Sequence, residues 1–179
     1  HKKSLALKER YLKGQHPIMS YVNLGEIYFK LNYLDSAVAH FKTAERMAKE
    51  ENKPKAIAYA QTGLGKVYAK QKNYVPAVRY LNLADKIWVM LEDYVGVSRI
   101  ALERAKISII RGQFEESKLN VQQAILNAEK VNAKEMKLEA LALQYKIDSA
   151  MNDFEAAFIS IQKMHHLASE IFDLAKEKQ

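Results

Sequence analysis

The 179-residue sequence predicts an all-α solenoid of about four helical hairpins, with part of one further helix ahead of them. Three observations carry that prediction. A block of sequence recurs at a fixed step. Each block divides into two apolar stripes of helical spacing. Helix-breaking residues are scarce, with six glycines and three prolines in the whole chain. A single hairpin cannot bury its apolar side alone, but stacked neighbours can.

The step is 40 residues. "LGEIYFKLNYLDSAVAHFKTA" runs from Leu24 to Ala44, and "LGKVYAKQKNYVPAVRYLNLA" from Leu64 to Ala84. The same step links Gly25, Gly65, Ala105 and Tyr145, and then Leu34, Tyr74, Phe114 and Phe154. It links Ala37, Ala77, Ser117 and Ala157, then Phe41, Leu81, Val121 and Ile161, then Ala44, Ala84, Ala124 and Met164. Small residues at fixed points let two helix backbones approach closely. The larger side chains then fill the space between hairpins.

Taken in order, residues 1–14 read as the end of a preceding second helix, stopped near Gly14. On that reading the chain is a fragment of a longer protein. The first repeat covers 17–51. Its first stripe is Val22, Leu24, Gly25, Tyr28 and Leu31; "NYLD" breaks it; its second is Ala37, Val38, Phe41, Ala44 and Met47. Pro17 and Pro54 stand where a first helical turn tolerates the missing N–H. The second repeat covers 54–92, the third 94–131, and the fourth 134–177, all in one domain. Trp88, near the end of a second helix, is expected to be buried against the next hairpin. From Phe154 onward there is no glycine or proline. Ile161, Met164, Ala168, Ile171 and Ala175 follow the 3–4 spacing of a coiled-coil seam. That seam predicts a helix that runs on into a following domain, caps the stack, or pairs two chains. Arg104 and Asp148 occupy slots that should be apolar. They either pair across neighbouring first helices or lie at an edge and reach solvent.

Composition excludes several functions. Without cysteine there is no disulfide or thiolate metal site, and the chain fits a cytoplasm or a bacterial periplasm equally. No apolar run approaches the roughly 20 residues that span a bilayer, so no membrane contact is predicted. The net charge of +7 is spread along the chain without a basic, aromatic-laced patch, which argues against nucleic acid. Dinucleotide, phosphate-loop and nucleophile-elbow motifs are all missing. His165 and His166 are adjacent and diverge on a helix, so they do not form a metal-binding pair. Neither a cofactor nor catalysis is predicted.

The pattern small–x–x–Tyr, turn, Ala–x–x–x–Phe–x–x–Ala resembles the tetratricopeptide repeat. Repeats one and two match closely. Repeats three and four depart, with Arg104 and Gln144 for the leucine and Ser108 and Asp148 for the tyrosine. The resemblance implies a right-handed solenoid whose first helices line a concave wall. The period exceeds the roughly 34 residues usual in that family. The second helices should therefore be longer by about a turn and a half.

On such a wall the residue after the small one looks inward: Glu26, Lys66, Lys106 and Lys146. Three of the four are lysine, a row that would attract an acidic protein or peptide ligand. The alternative is an ordinary solvated face. Asn23, Lys30, Tyr59, Lys70, Arg99 and Glu103 fall on the same wall, and Met19, Phe29, Leu102 and Ile109 could add contact area. Asn23 and Arg99 fit parts of the carboxylate clamp of chaperone-binding family members. Lys66 and Glu103 depart from it, standing where an asparagine and an arginine would be expected. A softer resemblance is to bacterial sensory regions that precede diguanylate cyclase or histidine kinase domains. Receptors for short signalling peptides are the second comparison.

Overall fold

The computed structural model describes residues 17–176. They form eight α-helices: α1 (Pro17–Lys30), α2 (Leu34–Glu50), α3 (Pro54–Lys70), α4 (Tyr74–Met90), α5 (Tyr94–Ile110), α6 (Phe114–Lys130), α7 (Lys134–Ala150) and α8 (Phe154–Lys176). No strand occurs among the described residues. The expected helix at residues 1–14 lies outside them.

A helix starts every 20 residues from Leu34 to Phe154, which halves the 40-residue step. Helices α2 through α7 each have 17 residues. The extra length is therefore divided evenly between first and second helices, against the expectation that the second would carry it.

The turns explain the regularity. Asn32, Asn52, Lys72, Glu92, Gly112, Asn132 and Asn152 all have positive φ, between 50° and 71°, and recur at the same 20-residue interval. Each follows a helix in the left-handed C′ position. Asn52 N–H donates to the Lys49 carbonyl at 3.2 Å, and Lys53 N–H reaches back five residues to the Ala48 carbonyl at 2.8 Å. The same five-residue bond recurs from Tyr33, Asn73, Asp93, Gln113, Ala133 and Asp153. These bonds satisfy carbonyls that a helix end would leave open. Asp93 and Asp153 cap the next helix by accepting from the Gly96 and Ala156 N–H groups.

The chain forms two compact units, one through Ile87 and one from Trp88 onward. In unit 1, α2 packs on α1 and α3, and the first helices α1 and α3 also lie side by side. Phe41 is fully buried among Ala37, Ala44, Ala60 and Leu64. It fits because Gly25 and Gly63 carry no side chain; a Cβ on either would lie 2.7 or 2.3 Å from its ring. Leu81 holds Gly65 in the same way, 2.6 Å from where a Cβ would stand.

In unit 2, α6 packs on α5 and α7, α8 packs on α7, and the first helices α5 and α7 are neighbours. Trp88 is buried against Gly96, where a Cβ would lie 2.3 Å from the indole. Val121, Ala124, Ala105, Leu102, Leu143 and Ile147 form the core beyond it. Asp148 is only 1% exposed, so it does not sit at a solvent-reaching edge. Lys118 stands 3.3 Å from its carboxylate, Gln144 donates to both oxygens at 2.9 and 3.0 Å, and Ser160 lies 3.5 Å away. Lys118 occupies the register slot of Val38 and Val78, and thereby brings a cation to a buried acid.

Helix α8 has 23 residues and carries two stripes. Ala157, Ser160 and Leu167 are buried, with Met164 and Ile171 half-buried beside them. Phe154, Phe158, Ile161, His165, Ala168, Phe172 and Ala175 are exposed. The seam expected through Ile161, Met164, Ala168, Ile171 and Ala175 therefore mixes two faces. Two adjacent apolar stripes on one helix both satisfy 3–4 spacing, so spacing alone could not separate them.

Candidate functional site

In unit 1 the site is the wall shared by α1 and α3. Glu26 and Lys66 stand one 40-residue step apart, and neighbouring first helices bring them together. Lys66 Nζ donates to both Glu26 oxygens at 2.8 Å. Lys66 and Lys70 Nζ also lie 5.0 and 4.9 Å from the centroid of the Phe29 ring, within cation–π range. Lys30 and Asn23 are exposed on α1, and Tyr59 is half-buried on α3.

The two ends of this wall differ. Around the N-terminal ends of α1 and α3, Ile18, Met19, Pro54, Ala56 and Tyr59 line a largely apolar pocket, together with Glu51, Lys53 and Lys55. Toward the C-terminal ends, Lys30, Lys66 and Lys70 outnumber Glu26. Pro54 opens α3 as its first residue, where its ring adds apolar surface without removing an intrahelical bond.

In unit 2 the corresponding wall is shared by α5 and α7. Lys106 Nζ is held at 2.8 Å by Glu103, one turn earlier, and at 2.8 Å by Glu139 on α7. Burial lowers the Lys106 pKa, but the two carboxylates outweigh it and the net shift is upward. Arg99 and Glu103 are half-buried, and Lys146 is exposed. Two of the three lysines in the expected row, Lys66 and Lys106, thus already face carboxylates. The row falls into two parts, since Lys66 belongs to unit 1 and the other two to unit 2.

Sequence reasoning missed Glu139, Ile18, Pro54 and Ala56. Glu139 lies one 40-residue step beyond Arg99, so following charge along the register would have shown the sign reversal. The pocket residues gave no such signal, because apolar residues at helix starts look like core. No helix among the described residues is long and apolar enough to cross a membrane.

Residues 20–51 match the family model of the tetratricopeptide repeat, a repeat that generally mediates protein–protein interaction. No curated protein matches the chain in sequence. Among solved structures, the chain is similar to the crystal structure of BtubC (BKLC) from P. vanneervenii. The TM-score is 0.78 at 12% identity, over 95% of this chain and 74% of that one. At that identity the likeness is one of fold.

Proposed function

We propose that this tetratricopeptide-repeat chain is a non-catalytic module that binds a protein or peptide segment along the α1–α3 wall. The observation that carries the proposal is the wall's polarity, an apolar pocket at one end and a lysine-rich patch at the other. Tyr59 and Lys70 are 11 residues apart on α3, about 16 Å along a helix. An extended segment covers that span in about five residues. The preferred ligand carries an apolar side chain for the pocket and, about five residues away, a carboxylate for Lys30 and Lys70. Asn23 and Glu26 supply hydrogen-bonding groups between the two ends.

On the unit 2 wall, Arg99, Glu103, Lys106 and Lys146 form a second contact surface. It is close to charge-balanced, because Glu103 and Glu139 answer Lys106. An acidic ligand is therefore assigned to the α1–α3 wall. The setting we favour is the sensory or scaffold region of a bacterial signalling protein, on the softer sequence resemblance. The short span of the polar wall supports a second reading, a receptor for a short signalling peptide.

Fluorescence anisotropy against a library of labelled peptides tests the proposal. Apolar–x₄–acidic peptides should bind best. Lys70→Glu should weaken them at least about tenfold, or about 1.4 kcal/mol. Tyr59→Ala should weaken them at the pocket end, and Lys146→Glu should leave them unchanged. Equal binding of all peptides, or indifference to Lys70→Glu, would remove the α1–α3 wall as the site.

A further inference from the structure

The exposed stripe of α8 is an unpartnered apolar face, and four observations say what covers it. First, two of its residues, Ile161 and Ala168, fill register positions that are buried elsewhere. Phe41, Leu81 and Val121 are 0% exposed, whereas Ile161, the next in that series, is 46% exposed. Ala48, Trp88 and Ala128 are buried, whereas Ala168 is exposed. In the earlier hairpins a following first helix provides the cover: Gly63 of α3 on Phe41, and Gly96 of α5 on Trp88.

Second, α8 is not built to receive such a cover from an in-register continuation. The 20-residue rule places a left-handed turn residue at 172, after Asn132 and Asn152. The chain is instead helical to Lys176, and Phe172 extends the exposed stripe. Glu170, just before this extra stretch, accepts from Lys134 Nζ of α7 at 2.8 Å.

Third, the exposed stripe has heptad spacing. Phe154, Phe158, Ile161, His165, Ala168 and Phe172 follow steps of 4, 3, 4, 3 and 4. Beside it runs a shallow, mostly apolar groove lined by Leu138, Ala142, Met164 and Ala168, with Glu135 and Glu139 along its α7 side.

Fourth, the stripe is complementary to its own reverse. Antiparallel pairing about a two-fold axis sets Phe158 opposite Ala168 of the second copy, Ile161 opposite His165, and Phe154 opposite Phe172. Phe158 then faces Ala168, large against small, on either side of the central Ile161–His165 layers. Glu155, at one edge of the stripe, meets the end that carries Lys176. Parallel pairing would instead stack His165 on His165 and Ala168 on Ala168, leaving a charge clash on protonation and a gap.

We propose that the α8 stripe is an interface between two copies of this chain, paired antiparallel. An isologous contact of this kind closes on itself and leaves no stripe exposed. The pairing is independent of ligand binding at the α1–α3 wall.

The chain has no cysteine, so engineered thiols test the geometry cleanly. Phe154→Cys and Phe172→Cys chains, mixed and mildly oxidised, should give the mixed disulfide. Either chain alone should give little, because its two thiols would lie about 27 Å apart along the helix. Sedimentation of the unmodified chain should show a concentration-dependent dimer. Ile161→Asp and, separately, Phe158→Glu should weaken that dimer at least tenfold with helical circular dichroism unchanged. A chain that stays monomeric across the concentration series overturns the proposal. So does a Phe154→Cys chain that links to itself, or a dimer indifferent to both charge substitutions, which would place the contact elsewhere.

Discussion

Units 1 and 2 solve one packing problem with opposite distributions of volume. In unit 1 the second helix carries the bulk: Phe41 projects from α2 and lies against Gly25 and Gly63 on the two first helices. In unit 2 the register equivalents are Val121, Ala105 and Leu143, all in one core. The second helix has become smaller and the first helices larger. A close-packed interior constrains total volume more than it constrains which helix supplies it. The period can therefore persist while the residues at each slot drift.

The units also differ in how they treat small residues. Ala58 and Ala37 are buried in unit 1. One register equivalent of each in unit 2, Ser98 and Ser117, is a serine. Ser98 donates to the Ala124 carbonyl at 2.8 Å, and Ser117 to the Ala105 carbonyl at 2.9 Å. Unit 2 adds the buried Asp148 cluster, and unit 1 buries Glu45, held by Gln61 at 2.9 Å and Lys49 at 2.7 Å. Steric fit dominates one unit, and satisfied polar groups carry more of the other.

The largest expected effect breaks the steric half of this contrast. Phe41→Ala should cost about 3–5 kcal/mol, measured by chemical denaturation. Val121→Ala removes fewer atoms and should cost clearly less. Phe41→Val combined with Gly63→Leu transplants the unit 2 solution into unit 1, and should recover more than half of what either single change loses. A double variant no better than the worse single one would end the volume-exchange account.

Next in size is the polar half. Lys118→Val leaves the Asp148 carboxylate buried without its cation and should cost about 3 kcal/mol, the low end for breaking a buried pair. Adding Asp148→Leu should restore most of that stability. If Lys118→Val proves neutral, Gln144 and Ser160 alone sustain the acid.

Gly63→Ala should cost about 1–2 kcal/mol, as overpacking against Phe41 exceeds the roughly 1 kcal/mol that alanine gains over glycine in a helix. Phe41→Leu beside it should relieve the clash. These three experiments separate volume from helix propensity, which the sequence confounds.

How much was legible beforehand follows from the same physics. The 40-residue step, the hairpins and the burial of Trp88 were readable, because periodic apolar residues fix which faces meet. The 20-residue half-step was also present, in Asn32, Asn52, Asn132 and Asn152, but Lys72, Glu92 and Gly112 interrupt it. Any residue that tolerates positive φ can fill the turn, so identity there is a weak signal. The wall residues Asn23, Glu26, Lys30, Tyr59, Lys66 and Lys70 could be assigned to a face. The pairing of Lys66 with Glu26 and of Lys106 with Glu139 could not, since it depends on the lateral spacing of two helices. Asp148 misled for a related reason, as its cation comes from the preceding second helix, 30 residues away.

The turns give a smaller test. Gly112 has a φ of +71°, and nothing lies within 4 Å of where an alanine methyl would stand. Gly112→Ala therefore reports backbone strain alone, about 1 kcal/mol. Glu92, at a φ of 53°, should show the converse, with Glu92→Gly gaining up to about 1 kcal/mol in thermal unfolding. Opposite signs at two equivalent turns in unit 2 would confirm that conformation, and not contact, sets the residue there.

The smallest effect concerns charge on the unit 2 wall. Burial disfavours the Lys106 ammonium, yet Glu103 and Glu139 raise its pKa above that of a free lysine. A pKa raised on folding contributes stability that is fully present below the unfolded value, near 10.5, and is lost as pH rises through the folded value. Because Lys106 and Glu139 are partly exposed, the contribution should stay below about 1 kcal/mol. An NMR titration of the Lys106 side chain should therefore show a midpoint above the ordinary lysine range. Glu103→Gln removes the carboxylate that most raises it and should bring the midpoint down. A midpoint that stays put would mean Glu139 alone holds the ammonium. The charge balance of this wall would then rest on contact between α5 and α7 and owe nothing to the turn of α5 that carries both Glu103 and Lys106.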